Sequence, residues 1–197
     1  MPAEPNSPRE RTRRLKVILP KKIFLTKGVG VAKEKLASFE SALRSADIAP
    51  FNIVRVSSIY PPYCQMITKE AGLKYLSAGQ ILFTVVAESA TNEPNRLIAA
   101  SVGMALPKKP EQYGYLSEAH TYGWTEKKTG EYSEDLAAVM LATILGAKFD
   151  PDESWDTRKE QWKISSEVVK TRNITQSAVG DKKGYWTTVI AAAVLIH

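Results

Sequence analysis

The chain has 197 residues, 44% hydrophobic and 24% charged, with eleven Gly and eleven Pro. This fits one globular domain with a sizeable core and excludes collagen-like and low-complexity classes. A single cysteine, Cys64, excludes an intrachain disulfide, and two histidines far apart, His120 and His197, speak against a zinc site or histidine triad. Half of the net charge of +6 lies in residues 1–16, where Arg9, Arg11, Arg13, Arg14 and Lys16 face only Glu4 and Glu10. Residues 1–14 therefore read as a disordered basic arm, and 15–197 as the folded domain.

In chain order, Leu15–Pro20 and Ile23–Thr26 read as extended, with Gly28-Val-Gly30 ending the run in a turn. Ala32–Asp47 reads as a helix whose Leu36, Phe39, Leu43 and Ala46 form one apolar stripe. Phe51–Ile59 reads as a strand stopped by Pro61-Pro62, because proline has no N–H to give a ladder. Ile81–Ala87 and Leu97–Leu106, joined by polar Thr91–Asn95, give a hairpin signal. Gly114–Trp124 is a further strand. Ser133–Phe149 reads as a helix capped by Ser133 and stopped by Pro151. Trp162–Thr171 and Tyr185–Ile196 close the chain as strands, the second apolar on both faces, as in a doubly covered sheet.

The element order departs from a regular βαβ alternation, so the fold class expected is α+β, with helices covering a sheet or a pair of stacked sheets. No phosphate loop is present, since Gly28-Val-Gly30 lacks the third glycine and the Lys-Ser/Thr. The leader has no apolar core of the signal-peptide kind, and the stretch near Val189–Ile196 is short of the roughly 20 residues of a membrane span. A soluble, cytoplasmic protein is expected, with no membrane partner.

The segment that carries chemistry is Asn52-Ile-Val-Arg-Val-Ser57-Ser58-Ile-Tyr-Pro61-Pro62. A serine hydroxyl held against the preceding carbonyl can attack it and convert the amide to an ester. β-Elimination then frees the upstream chain and leaves dehydroalanine, which hydrolyses to a pyruvoyl group and ammonia. The geometry must be enforced and the tetrahedral oxyanion needs donors, one of which Asn52 could supply.

This segment resembles the cleavage segment of the pyruvoyl-dependent arginine decarboxylases. Phe39-Glu-Ser-Ala-Leu43, Ile98–Leu106, Gly114-Tyr-Leu-Ser-Glu118 and the alanine-rich last strand extend the resemblance over nearly all of residues 15–197. It implies a four-layer αββα sandwich and a homotrimer of αβ protomers with active sites at protomer interfaces. It also implies cleavage between Ser57 and Ser58 into a β chain, 1–57, and an α chain, 58–197, which carries a covalent pyruvoyl group from Ser58. Asn52 then supports processing. The resemblance likewise implies arginine as the substrate, decarboxylated to agmatine, and Glu118 as the proton donor. Glu40 would pair with the guanidinium, at a position where the family more commonly has Asp, while Leu43 and Ile59 would line the alkyl stem. Two other readings stay open: a pyruvoyl decarboxylase of a different amino acid, and a non-enzymatic domain binding nucleic acid through its arm. Against the second, the chain outside the arm carries only a small excess of charge and no aromatic-basic RNA motif.

Overall fold

The computed structural model describes residues 18–146 and 168–197, and the basic arm expected over 1–14 lies outside the described residues. Nine strands and three helices follow in the order β1 (Lys22–Ala32), α1 (Lys35–Ser45), β2 (Asn52–Arg55), β3 (Ile59–Tyr60), β4 (Gln65–Met66), α2 (Lys69–Leu73), β5 (Ile81–Thr91), β6 (Leu97–Pro107), β7 (Gly114–Tyr122), α3 (Glu126–Ile144), β8 (Val168–Val179) and β9 (Trp186–Ile196) among the described residues. They build two sheets, ordered β2-β5-β9-β1-β4 and β3-β7-β6-β8.

The last strand shows why the sheets stack. Side chains alternate across a strand, and β9 is apolar at both parities. Val189, Ala191 and Ala193 face Val85, Ala87, Ile98, Ala100, Val102 and Met104 in the layer between the sheets. Ile190, Ala192 and Val194 face the other way, against Ala42, Ala46 and Phe24 under α1. A smaller cluster of Ala105, Ala137, Ala138 and Leu141 lies under α3. The result is the expected αββα sandwich.

Four expectations are corrected. The first concerns Gly28 and Gly30, which do not end β1. The strand runs through both to Ala32. A Cβ at Gly28 would overlap the Ala42 carbonyl, and one at Gly30 the Ser38 carbonyl, so these glycines let α1 lie directly on the strand. In α1 itself, fully buried Ser38 and Ala42 carry the packing, while Leu36 is 78% exposed. Second, β5 and β6 are not a hairpin. β5 pairs with β2 and β9, β6 with β7 and β8, and residues 92–96 carry the chain between sheets. A polar connector predicts a reversal, but two strands apolar on both faces bury more by stacking than by pairing at their edges.

The third correction moves the start of α3 upstream. Thr125 is its cap, accepting from the Lys128 N–H, and Ser133 sits buried mid-helix, 2.6 Å from the Ser101 hydroxyl. The face of this first part is Thr129, Gly130 and Ser133, which meets the sheet through hydroxyls and close contact and so lacks an apolar stripe. Finally, the strand expected over Phe51–Ile59 divides, β2 belonging to the first sheet and β3 to the second. Strand β8 reaches Val179, beyond the expected Thr171, and its expected beginning at 162–167 lies outside the described residues.

Candidate active site

Val56, Ser57 and Ser58 belong to neither strand, because they carry the chain across the edge of the sandwich from β2 to β3. Both ends of the crossing are fixed. The Val56 N–H donates to the Thr84 carbonyl at 3.1 Å, and the Leu116 N–H donates to the Ser58 carbonyl at 2.7 Å. Strand β3 pairs with β7 antiparallel, Ile59 opposite Tyr115 and Tyr60 opposite Gly114, so the Leu116 bond sets Ser58 opposite Leu116. Glu118 is two residues further along β7. Side chains at opposed positions share a face, so Ser58 and Glu118 lie on the same side of the second sheet.

Burial pushes the Glu118 carboxyl above its ordinary range, and the Arg55 and His120 charges nearby pull it back. Arg55 is held by Glu88, with Nη2 to Oε2 at 2.6 Å. Beside the crossing opens a largely apolar cavity of ≈ 470 Å³, lined by Leu19, Val56, Ser57, Ile59 and Phe83 among others, with His197 at its wall. The His197 ring stands edge-on to Phe83 at 5.3 Å between centroids.

The structure thus brings together Ser57, Ser58, Ile59 and Glu118. It places Glu40, Leu43 and Asn52 elsewhere in the same chain. Glu40 accepts from Arg44 Nε at 2.6 Å and borders an open hollow with Asp47 and Pro50. Leu43 packs into the layer under α1, beside Phe51 and Ile53. Asn52 opens β2, and its Nδ2 donates to the Gly79 carbonyl at 2.8 Å. The strand from Asn52 to Val56 spans about 13 Å at roughly 3.3 Å per residue, so Asn52 stands at the end remote from Ser58. Among the described residues no group of three His, Cys, Asp or Glu could hold a metal ion.

Arg55, Glu88 and His120 escaped the sequence reading. Each is an ordinary charged or polar residue by type. Only the position of Arg55 inside the Asn52–Pro62 segment, and of His120 two residues from Glu118, could have singled them out.

A Ser57-Ser58 crossing held outside both ladders, near a carboxyl of raised proton affinity on an αββα sandwich, fits a lyase of the pyruvoyl-dependent class. The profile of the family described as pyruvoyl-dependent arginine decarboxylase matches residues 22–197. A relative from Chloroherpeton thalassium named probable pyruvoyl-dependent arginine decarboxylase is 60% identical over 178 residues, 90% of this chain and 98% of its own length. Relatives from Nitrosopumilus maritimus, named pyruvoyl-dependent arginine decarboxylase, and Methanosarcina acetivorans, named pyruvoyl-dependent arginine decarboxylase 2, are 53% and 50% identical, each over 91% of this chain and 98% of their own. The chain belongs to the pyruvoyl-dependent arginine decarboxylase family, whose cofactor is a pyruvoyl group.

Ser58 fits the origin of that group. Its carbonyl is anchored on β7, while its peptide bond to Ser57 lies outside both ladders, next to the cavity that Ser57 lines.

Proposed function

We propose that this chain decarboxylates arginine to agmatine and carbon dioxide, with a pyruvoyl group that it makes by cutting itself between Ser57 and Ser58. The observation that carries the reading is the placement of Ser58, anchored to Leu116 with Glu118 two residues along the same face of β7. In the cleavage, Ser58 Oγ forms a bond to the Ser57 carbonyl carbon and the amide C–N bond breaks, leaving an ester and a free amine at residue 58. Loss of the Ser58 α-proton then breaks the Cβ–O bond. Ser57 departs as a carboxylate, and dehydroalanine hydrolyses to pyruvoyl and ammonia.

The pyruvoyl carbonyl, once present, supplies an electron sink for the bond that breaks to carbon dioxide. The remaining work falls to side chains. Glu118 delivers a proton to the former Cα, a task that a carboxyl with raised proton affinity can perform near neutral pH. Ile59 and Leu43 line the alkyl stem. Glu40 offers a planar carboxylate to the guanidinium.

Glu40 and Leu43 lie on α1 and Asn52 at the far end of β2, away from the crossing that carries Ser58 and Ile59, and this separation supports a site completed between protomers of a homotrimer. Leu36, exposed and one turn before Glu40, offers the α1 flank an apolar contact for a neighbouring copy. Asn52 then acts in processing by giving up the Gly79 carbonyl or from a neighbour; mixing Asn52→Ala with Ser58→Ala chains distinguishes these. No helix among the described residues is long and apolar enough to cross a membrane.

The test is carbon dioxide release from each of the common amino acids by purified protein, with the amine product identified by mass spectrometry. Agmatine from arginine is expected. Turnover of another amino acid in preference to arginine would overturn the substrate assignment.

A further inference from the structure

Beyond Ser58, β3 gives way and the outer edge of β7 runs on unpaired through Glu118 and His120. Beyond Thr84, β2 gives way and the outer edge of β5 runs on unpaired through Glu88. Arg55, the last residue of β2, reaches forward along that open edge to Glu88. Among the described residues, the charges that act on Glu118 are Arg55 on β2 and His120 on β7, and Glu88 on β5 enters through its ion pair with Arg55. The opposite number of Glu118 on β6 is Val102, and Ser58 stands opposite Leu116 two residues back along the same face, neither of them charged.

We propose that the Arg55–Glu88 ion pair is a positioning couple for the proton donor: Arg55 supplies a cation beside the Glu118 carboxyl, and Glu88 restrains and partly neutralises that cation. This rests on the proposed role of Glu118. The two residues act on Glu118 with opposite sign. A cation close by favours the ionised carboxylate, so Arg55 holds down a proton affinity that burial raises. Glu88 weakens Arg55's hold in two ways, by its own charge and by drawing the guanidinium to itself at 2.6 Å. The couple also spans the cut. Arg55 lies in the segment freed at Ser57 and Glu88 in the segment that begins at Ser58, so the pair ties the severed end of β2 to β5 beside the four-residue ladder that joins them.

A merely structural pair would give two variants damaged alike, whereas a charge-setting pair gives two variants displaced in opposite directions. Processing of Arg55→Gln, Arg55→Lys, Glu88→Gln and the double variant Arg55→Gln/Glu88→Gln is first measured by mass spectrometry. The pH dependence of kcat is then followed on the processed protein, scaled to its pyruvoyl content. Glu118 must be protonated to act, so kcat falls as pH rises through its pKa. Arg55→Gln should move that falling limb to higher pH, and Glu88→Gln to lower pH. Each shift should be about half a unit to one unit, a close ion pair's effect discounted for solvent exposure. Arg55→Lys and the double variant should fall near the wild type. Raising the salt concentration should draw all limbs together, because exposed charges are screened.

His120 is common to every variant and shifts none of these comparisons. Should Arg55→Gln fail to process, the Glu88→Gln and Arg55→Lys profiles still decide the matter. Coincident limbs in processed variants, or displacement of both single variants in the same direction, would overturn the role of the couple alone. A wild-type chain that never processes would overturn the reading beneath it as well.

Discussion

Glu118→Gln separates the chemistry of the mature enzyme from its making. The Glu118 carboxyl lies partly open at the edge of β7, makes no side-chain hydrogen bond among the described residues, and shares a face with Ser58 through the register of β3 on β7. The anchor that holds the cleavage segment is the backbone bond from Leu116 to Ser58, which the substitution leaves intact. Gln is isosteric with Glu, so stability should change by no more than about 0.5 kcal/mol, as for surface sites. Self-cleavage should be complete. Turnover should fall by about 10²–10⁴, the usual contribution of a positioned acid, or roughly 2.7–5.4 kcal/mol of barrier. The assay is carbon dioxide release at saturating arginine on protein whose processing has been confirmed by mass spectrometry. Near-wild-type turnover in fully processed Glu118→Gln would refute the assignment, and failure to process would relocate Glu118 to the cleavage step.

Other outcomes follow from the same geometry. Glu40→Gln should raise KM for arginine by roughly tenfold to a hundredfold, the loss of a charge-assisted bond of about 1.5–3 kcal/mol, while leaving self-cleavage intact; Glu40→Asp should be milder. Wild-type kcat should be sustained at low pH and fall as pH rises through the Glu118 pKa, at a pH above the ordinary carboxylate range because burial raises that group. Gly30→Ala should destabilise by about 1–3 kcal/mol, read as a lower urea midpoint, because the new methyl meets the Ser38 and Ala42 backbone of α1 rather than a movable side chain.

Much of the fold was legible because periodicity and punctuation report burial directly. Strand β9 is apolar at both parities and proves to be central, and Pro61-Pro62 marks where the chain leaves β3. What stayed hidden depends on relations between distant segments. The connector at Thr91–Asn95 shows a reversal but not whether the two strands share a sheet. Thr129, Gly130 and Ser133 make a buried helix face of hydroxyls and close contact, and no apolar stripe announces it. Gly28 and Gly30 read as a turn, though only the α1 backbone lying on them explains why they are glycine.

At the site, the Ser57-Ser58 segment was legible as local chemistry. The pairing that brings Glu118 to Ser58 joins residues sixty apart and belongs to the register of β3 on β7. The separation of Glu40 and Leu43 from Ser58 is likewise a matter of layers, since α1 covers the outer face of one sheet and the crossing lies at the sandwich edge. Until the 2.6 Å contact is seen, Glu88 carries no mark in the sequence and Arg55 only its place inside the Asn52–Pro62 segment.

The central claim is that Ser58 becomes the cofactor, and intact-mass analysis of purified wild-type and Ser58→Ala protein tests it most directly. Wild type should give two fragments divided after Ser57, the larger about 17 mass units lighter than the same fragment beginning with serine, the net loss of one ammonia, and resistant to Edman sequencing because its first residue has no amine. Ser58→Ala should give one undivided chain without decarboxylase activity, since the attacking hydroxyl is gone. A wild-type chain that remains whole while releasing carbon dioxide from arginine would contradict the claim.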